Sequence, residues 1–400
     1  MSQENRHDRN LILPTLIVSI SSIDPPGLII GMSLIEVATS FGVSVGLAGQ
    51  IRSIGSVLAI AVALAMGVLS VRYSYKSLLL AGLLVNLVSV LCCGYAPTFS
   101  LLLVCFSTVG LVTSLVTPMV FSYIGETYTA ERRPQVVGTV AAVRTVSYLL
   151  MVQLIGYVVA GWGWRQAFLF LVAPLTAMGL LLSQRVLPGI RSEAKACGAD
   201  ILEGYKGVFA SRSALACLLG NLLAGGAWAG GVVAYSVTYL REDFALPLPE
   251  ASRIFSLLVV CVLVGNYLGG LLARQLGGKG VMVSSSLLTG LLIMGYMNSP
   301  SLALTVGLSA TMSITAGVVL TCANTLLLVQ VPRFRGTVTS LNSAATQLGL
   351  ALGASLGGFI LDASGWGVMG LVYGVMHIAA ALIYLAGVMD REEPDISYSS

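Results

Sequence analysis

Gly67–Lys76 reads GVLSVRYSYK and Gly270–Lys279 reads GLLARQLGGK, so glycine, leucine and lysine recur at matched places 203 residues apart (270 − 67). A second echo follows. RPQVVGTV at Arg133–Val140 and RFRGTVTS at Arg333–Ser340 align Gly138–Thr139–Val140 with Gly336–Thr337–Val338, a shift of 198 (336 − 138). Both echoes keep the same chain direction. The polypeptide therefore reads as two copies of one unit in the same orientation, and what lies between the quoted stretches decides what the unit is.

Between them lie long apolar runs. The 400-residue chain is 56% hydrophobic and 10% charged, against about 25% charged residues in soluble domains. A chain this apolar cannot cover its own surface, so lipid is part of its solvent. A helix rising 1.5 Å per residue needs roughly 20 apolar residues to cross the hydrocarbon. The runs lack the alternation of a barrel strand, which leaves helices as the way to close the backbone hydrogen bonds. Spans are expected at 11–36, 45–70, 76–95, 99–123, 135–160 and 165–184, then at 211–239, 251–273, 279–297, 300–329, 336–361 and 366–387. The fold class is thus all-α and integral to the membrane, twelve transmembrane helices in two parallel six-helix repeats. The expected organisation is an N-terminal bundle over 1–184, a cytoplasmic linker over 185–210, and a C-terminal bundle with a short tail over 211–400.

Basic residues orient the spans. Of the 21, sixteen fall on the side that holds both termini, three (Arg165, Arg241, Arg253) on the other, and Arg52 and Arg144 inside spans. The positive-inside rule then places both termini in the cytoplasm of a multi-pass plasma-membrane (cell inner membrane) protein. The run from Leu11 to Glu36 is too long for a signal-peptide core and is expected to stay as the first span.

Several function classes drop out. The seven cysteines show no metal-ligand spacing, and the two histidines, His7 and His377, are far apart. The cysteines read as small buried hydrophobes. No nucleophile–base pair, no GxxxxGK[ST] loop and no aromatic–basic stripe occurs. The expectation is a chain that is not an enzyme, has no cofactor and binds no nucleic acid.

GVLSVRYSYK resembles the loop signature between the second and third helices of the major facilitator superfamily, with Val71 at its usual acidic position and Arg274 as the counterpart in the second copy. Gly163–Trp164–Arg165 with Ala167–Phe168 is similar to the exit from helix 5 in that family's twelve-helix drug:proton antiporter branch. An arginine common early in helix 4 of the branch is here replaced by Phe106. The resemblance runs over nearly the whole chain and implies the major facilitator fold, alternating access, and a central cavity lined by helices 1, 4, 7 and 10.

Charges within the spans are few. A lone charge at the bilayer centre costs about 2.5–3.5 kcal/mol on insertion scales, so each needs a partner or water. Measured from the outer end by helical rise, Glu36 lies near the surface, Arg52 roughly 10 Å down, Asp24 roughly 18 Å and Arg144 roughly 24 Å. Acid and base alternate with depth. With helices 1, 2 and 5 as neighbours, Asp24 is expected to be bridged by Arg144, by Arg52, or by each in turn. In one reading Asp24 exchanges a proton during transport. In another it is a fixed carboxylate between two cations, and in a third the two arginines form an anion site. Asp24–Pro25–Pro26–Gly27 adds freed carbonyls and a kink at midspan.

Substrate-contact candidates are Asn221, Trp228 and Tyr235, seven residues apart on helix 7, with Thr113 and Thr117 on helix 4 and Thr311, Thr315 and Asn324 on helix 10. Gly349–Gly353–Gly357 and Gly265–Gly269 are four-residue glycine ridges for close helix packing, which the resemblance puts at the seam between lobes. His377 is given no role. Gly67, Arg72, Lys76, Glu126, Gly270, Lys279 and Arg335 are the expected cytoplasmic gate, where charge pairs would form a weak latch. Together these point to a monomeric secondary active transporter in the lipid bilayer, effluxing a small, partly apolar solute by antiport with protons. Two alternatives stand: an uptake carrier or facilitator for a small organic anion using Arg52 and Arg144, and a non-transporting receptor or lipid-handling protein on the same scaffold.

Overall fold

A computed structural model describes residues 3–129, 131–190, 205–330 and 335–389. Every expected span is helical, and no strand occurs among the described residues. The first span comprises α1 (Gln3–Ser21), α2 (Pro25–Met32) and α3 (Leu34–Phe41). Then come α4 (Val45–Arg72), α5 (Tyr75–Tyr95), α6 (Phe99–Thr127), α7 (Arg133–Trp162) and α8 (Trp164–Val186). The second half comprises α9 (Arg212–Asp243), α10 (Leu248–Leu276), α11 (Gly278–Tyr296), α12 (Leu302–Gln330) and α13 (Arg335–Gly387). The last of these is two spans in one run. Gly365, at φ 77° and ψ −174°, breaks it where the sequence separates 361 from 366.

Local chemistry sets the boundaries. Ser44, Ser74, Thr98 and Ser211 each cap a helix by accepting from the backbone N–H three residues on, at 3.0–3.3 Å. Pro25 and Pro26 carry no N–H, so α1 ends before them and α2 starts on them, where the missing donors cost nothing. The carbonyls released at this break are taken up by side chains. Asn86 Nδ2 donates to the Ser22 carbonyl at 3.0 Å, and Ser22 Oγ donates to that of Ser19 at 2.9 Å.

The described chain groups into two compact units. The first holds residues 1–196 together with Val233–Ser256, and the second holds Cys197–Val232 and residues 257–400. Val233–Asp243 of α9 and Leu248–Ser256 of α10, assigned by sequence to the C-terminal bundle, thus group with the first six spans. The segment 191–204 of the expected linker lies outside the described residues.

Each unit repeats one crossing. In the first, a Cβ on Gly110 of α6 would strike the Gly55 carbonyl of α4. In the second, a Cβ on Gly317 of α12 would strike the Val262 carbonyl of α10, and one on Gly265 would strike that of Ile314. Spans two and four of each copy therefore touch backbone to backbone, as lipid-immersed helices do where small residues allow it. The ridge Gly349–Gly353 faces the Leu222 and Gly226 carbonyls of α9. These glycines are used inside the second unit and not at a seam between lobes, which corrects the sequence expectation.

Candidate functional site

Asp24 sits at the break between α1 and α2 and caps nothing with its side chain. Its carboxylate instead meets Arg144 of α7 as a fork. Arg144 Nε donates to Oδ2 at 2.7 Å and Nη2 to Oδ1 at 2.8 Å. The two side chains are 23% and 31% exposed, so the pair is not closed off within the protein. Bidentate charge-assisted bonds are among the strongest polar contacts available to a protein. Of the two arginines expected to bridge Asp24, Arg144 does so.

Arg52 lies elsewhere. Its Nη1 is 3.5 Å from the Gly27 carbonyl and would be 2.7 Å from a Cβ on Gly31, so glycine at 31 makes room for the guanidinium. No carboxylate pairs with Arg52 among the described residues. Tyr148 of α7 stands within electrostatic reach of Arg52, Asp24 and Arg144. It was not singled out from the sequence, since a lone tyrosine in an apolar run carries no signal.

Glu36 pairs with Arg241 near the outer end of α9, Nη2 to Oε1 at 2.7 Å and Nη1 to Oε2 at 2.9 Å. The same outer segment is held at further points. Gln153 Nε2 donates to the Ser252 carbonyl at 3.2 Å and to Ser256 Oγ at 2.6 Å, and Tyr235 fills the space beside Gly49. The Gly-Trp-Arg motif builds a neighbouring clasp. Gly163 turns at φ 93°, Trp164 Nε1 donates to Ser40 Oγ at 3.1 Å, and the Arg165 guanidinium lies 4.4 Å from the Trp164 ring centroid and 5.1 Å from that of Phe41.

Within the second unit, a cavity of about 70 Å³ is bordered by Asn221 and Trp228 of α9, Asn324 of α12, and Thr346, His377 and Tyr384 of α13. Tyr384 Oη donates to Asn221 Oδ1 at 2.7 Å, Asn221 Nδ2 to Asn342 Oδ1 at 2.7 Å, and Asn342 Nδ2 to Asn324 Oδ1 at 2.9 Å. Three amides and a phenol thus form one directed chain. His377, left without a role by the sequence, is 1% exposed and borders this cavity, with Nδ1 beside Ser286 of α11.

The remaining candidates divide. Tyr235 is fully buried against Gly49, away from Asn221 and Trp228, because residues Gly226–Val232 form a π-helical segment. Thr311 and Thr315 donate to the carbonyls of Gly307 and Met312 at 2.9 and 3.0 Å. Thr113 is half-buried, and Thr117 Oγ1 is buried with no partner among the described residues. At the expected gate, Lys76 donates to the Gln184 carbonyl at 2.8 Å, and Arg72 lies 5.9 Å from the Tyr73 ring. Glu126 is exposed, without an ion pair among the described residues. The side chain of Arg335 lies outside the described residues. Cys93, Cys217 and Cys322 are buried free thiols, as expected, while Cys92 is exposed. No cluster of metal-ligating residues occurs among the described residues.

Comparison with known proteins bears on both halves. The sequence is 26% identical over 326 residues, 81% of this chain and 82% of the relative, to an uncharacterized MFS-type transporter, YceJ, of Bacillus subtilis (strain 168). The fold is similar to a bacterial homolog of the human lysosomal transporter Spinster at TM-score 0.76, with 18% identity, covering 96% of this chain and 97% of that one. It is equally similar to a D-xylose-proton symporter at TM-score 0.78, with 15% identity, covering 96% and 98%. The profile of the Major Facilitator Superfamily matches residues 16–230 and again 217–399, and with twelve apolar spans in two like halves the chain belongs to that superfamily of membrane transporters, which are not enzymes.

Proposed function

We propose that this chain is a secondary active transporter that exports a small, partly apolar solute across the plasma membrane in exchange for protons, with both termini in the cytoplasm. The observation that supports this reading is the Asp24–Arg144 fork, a carboxylate at a helix break in midspan whose side chain stays 23% exposed. Protonation of Asp24 removes the negative charge that holds the fork and releases Arg144. A coupling ion drives a conformational cycle only if the two states bind it differently, and a pair that is either closed and charged or open and protonated supplies that difference. D-xylose–proton symport in one structural neighbour lends proton coupling general support. The outward direction rests on the resemblance to the antiporter branch.

The test is flux into vesicles containing the purified chain and a trapped pH-sensitive dye, challenged with a panel of small amphipathic solutes under an imposed pH gradient. Solute-triggered proton movement is expected in the native chain and should be absent in Asp24→Asn. Full gradient-driven flux in Asp24→Asn would overturn the coupling role. Solute binding without any flux would identify a receptor instead.

A second reading, an organic-anion carrier, draws on Arg52, which has no carboxylate partner among the described residues. It predicts flux that follows membrane potential, not the pH gradient, and that is abolished in Arg52→Gln and Arg144→Gln.

A further inference from the structure

We infer that the cavity within the second unit binds the neutral, amide-like end of the solute, a small group that both accepts and donates a hydrogen bond. This rests on reading the chain as a small-solute carrier and narrows the solute class. The first observation is the direction of the relay. Tyr384, Asn221 and Asn342 donate in turn, and the chain ends on Asn324 Oδ1. Asn324 Nδ2 therefore has its two N–H donors over, with no partner among the described residues, at the border of the cavity. The oxygen keeps one lone pair, but most of the unused hydrogen-bonding capacity of this amide lies in its two N–H donors.

The second observation is the state of His377. Its Nδ1 lies 3.2 Å from the Ser286 carbonyl, which can only accept, and 3.0 Å from Ser286 Oγ, which can do either, and the tautomer that serves both carries its proton on Nδ1. Ser286 Oγ also donates to the His377 carbonyl at 3.1 Å, which fixes the helix carrying the ring. Nε2 is then a bare acceptor, with no partner among the described residues. The cavity is thus bordered by one unengaged donor group, on α12, and one unengaged acceptor, on α13.

The third observation is charge and size. None of the bordering residues carries a formal charge with His377 neutral, and the arginines of the first unit are not among them. A bare carboxylate or ammonium entering here would lose water without finding a counter-ion. At about 70 Å³ the space is roughly half of the ~150 Å³ that admits benzene. It holds a head group of a few heavy atoms and leaves the flat remainder against Trp228. A carboxamide, with C=O toward Asn324 Nδ2 and N–H toward His377 Nε2, fulfils both requirements.

Three isosteres separate these demands: benzamide, benzoate and benzamidinium share a ring and a planar three-atom head but carry charges of 0, −1 and +1. Binding to the purified full-length chain in detergent is read at pH 7.5 by isothermal calorimetry. Benzamide is expected to bind at least tenfold more tightly than either ion. Asn324→Leu and His377→Phe should each weaken benzamide about tenfold, with Asn324→Ser, which keeps a donor, intermediate. Elution volume and melting temperature show whether each variant is folded. Equal or tighter binding of benzoate or benzamidinium overturns the inference, as does unchanged benzamide affinity in folded Asn324→Leu and Asn324→Ser. Binding at equilibrium needs no proton gradient. Neutral selectivity without proton-driven flux would therefore sink the transport reading alone, and proton-driven flux with ion selectivity would sink this inference alone.

Discussion

Asp24 commits both carboxylate oxygens to one guanidinium, and Arg144 commits two of its nitrogens to one carboxylate. Removing either partner strands the other in a low-dielectric setting, a loss usually larger than the net contribution of the intact pair. For a pair this incompletely buried, Arg144→Gln is expected to cost about 1–3 kcal/mol of stability, between the value of one charged hydrogen bond and that of a fully buried pair. Melting in detergent reads the change. Asp24→Asn/Arg144→Gln should recover most of it, and a double variant as unstable as the single one would show that the two do not act as a unit. This pairing was legible in advance because charges in lipid are so few that each restricts the others. Choosing between Arg144 and Arg52 was not. It depends on Gly31, which leaves space for the Arg52 guanidinium on another face of the first span. The asparagine relay was out of reach for a related reason. Asn342 and Tyr384 are single polar residues in long apolar runs, and only the packing of α13 against α9 brings them to Asn221.

Among the helices, glycine decides how near two spans can come. Gly110 meets the Gly55 carbonyl, whereas a Cβ on Gly125, two residues from the end of α6, would touch nothing within 4 Å. Gly110→Ala is expected to cost about 1–3 kcal/mol by forcing α4 and α6 apart. Gly125→Ala should instead stabilise by about 0.5–1 kcal/mol through helix propensity. Thermal melts of the two variants against the native chain give opposite signs if the crossing is as described. Span number and length were readable from apolar run lengths, because the bilayer sets them. Face assignments were readable only where the helix is regular. The seven-residue spacing of Asn221, Trp228 and Tyr235 assumes 3.6 residues per turn. The π segment Gly226–Val232 absorbs an extra residue, which turns all that follows by about 100°. Tyr235 leaves the cavity face for that reason.

For the molecule as a whole, the Glu36–Arg241 pair links the first span to the outer part of the seventh. Arg241→Glu sets two carboxylates against each other, a change worth about 1–2 kcal/mol, or roughly 5–30-fold in any step that needs this contact. Initial rates of solute flux in vesicles should fall by that factor. Glu36→Arg/Arg241→Glu should restore them, and no recovery in the exchange would show that the contact is incidental. The charge count had put Glu36 and Arg241 toward the same membrane face, but a contact between residues 205 apart has no trace in local sequence. Besides the linker, the division between the two units falls inside two spans, one of them α10 at Ser256–Leu257. The other is α9, divided at Val232–Val233, directly after the π segment ends. An over-wide coil holds a spare residue, and letting it slip by one register would rotate the far end without cutting the strand of amide bonds.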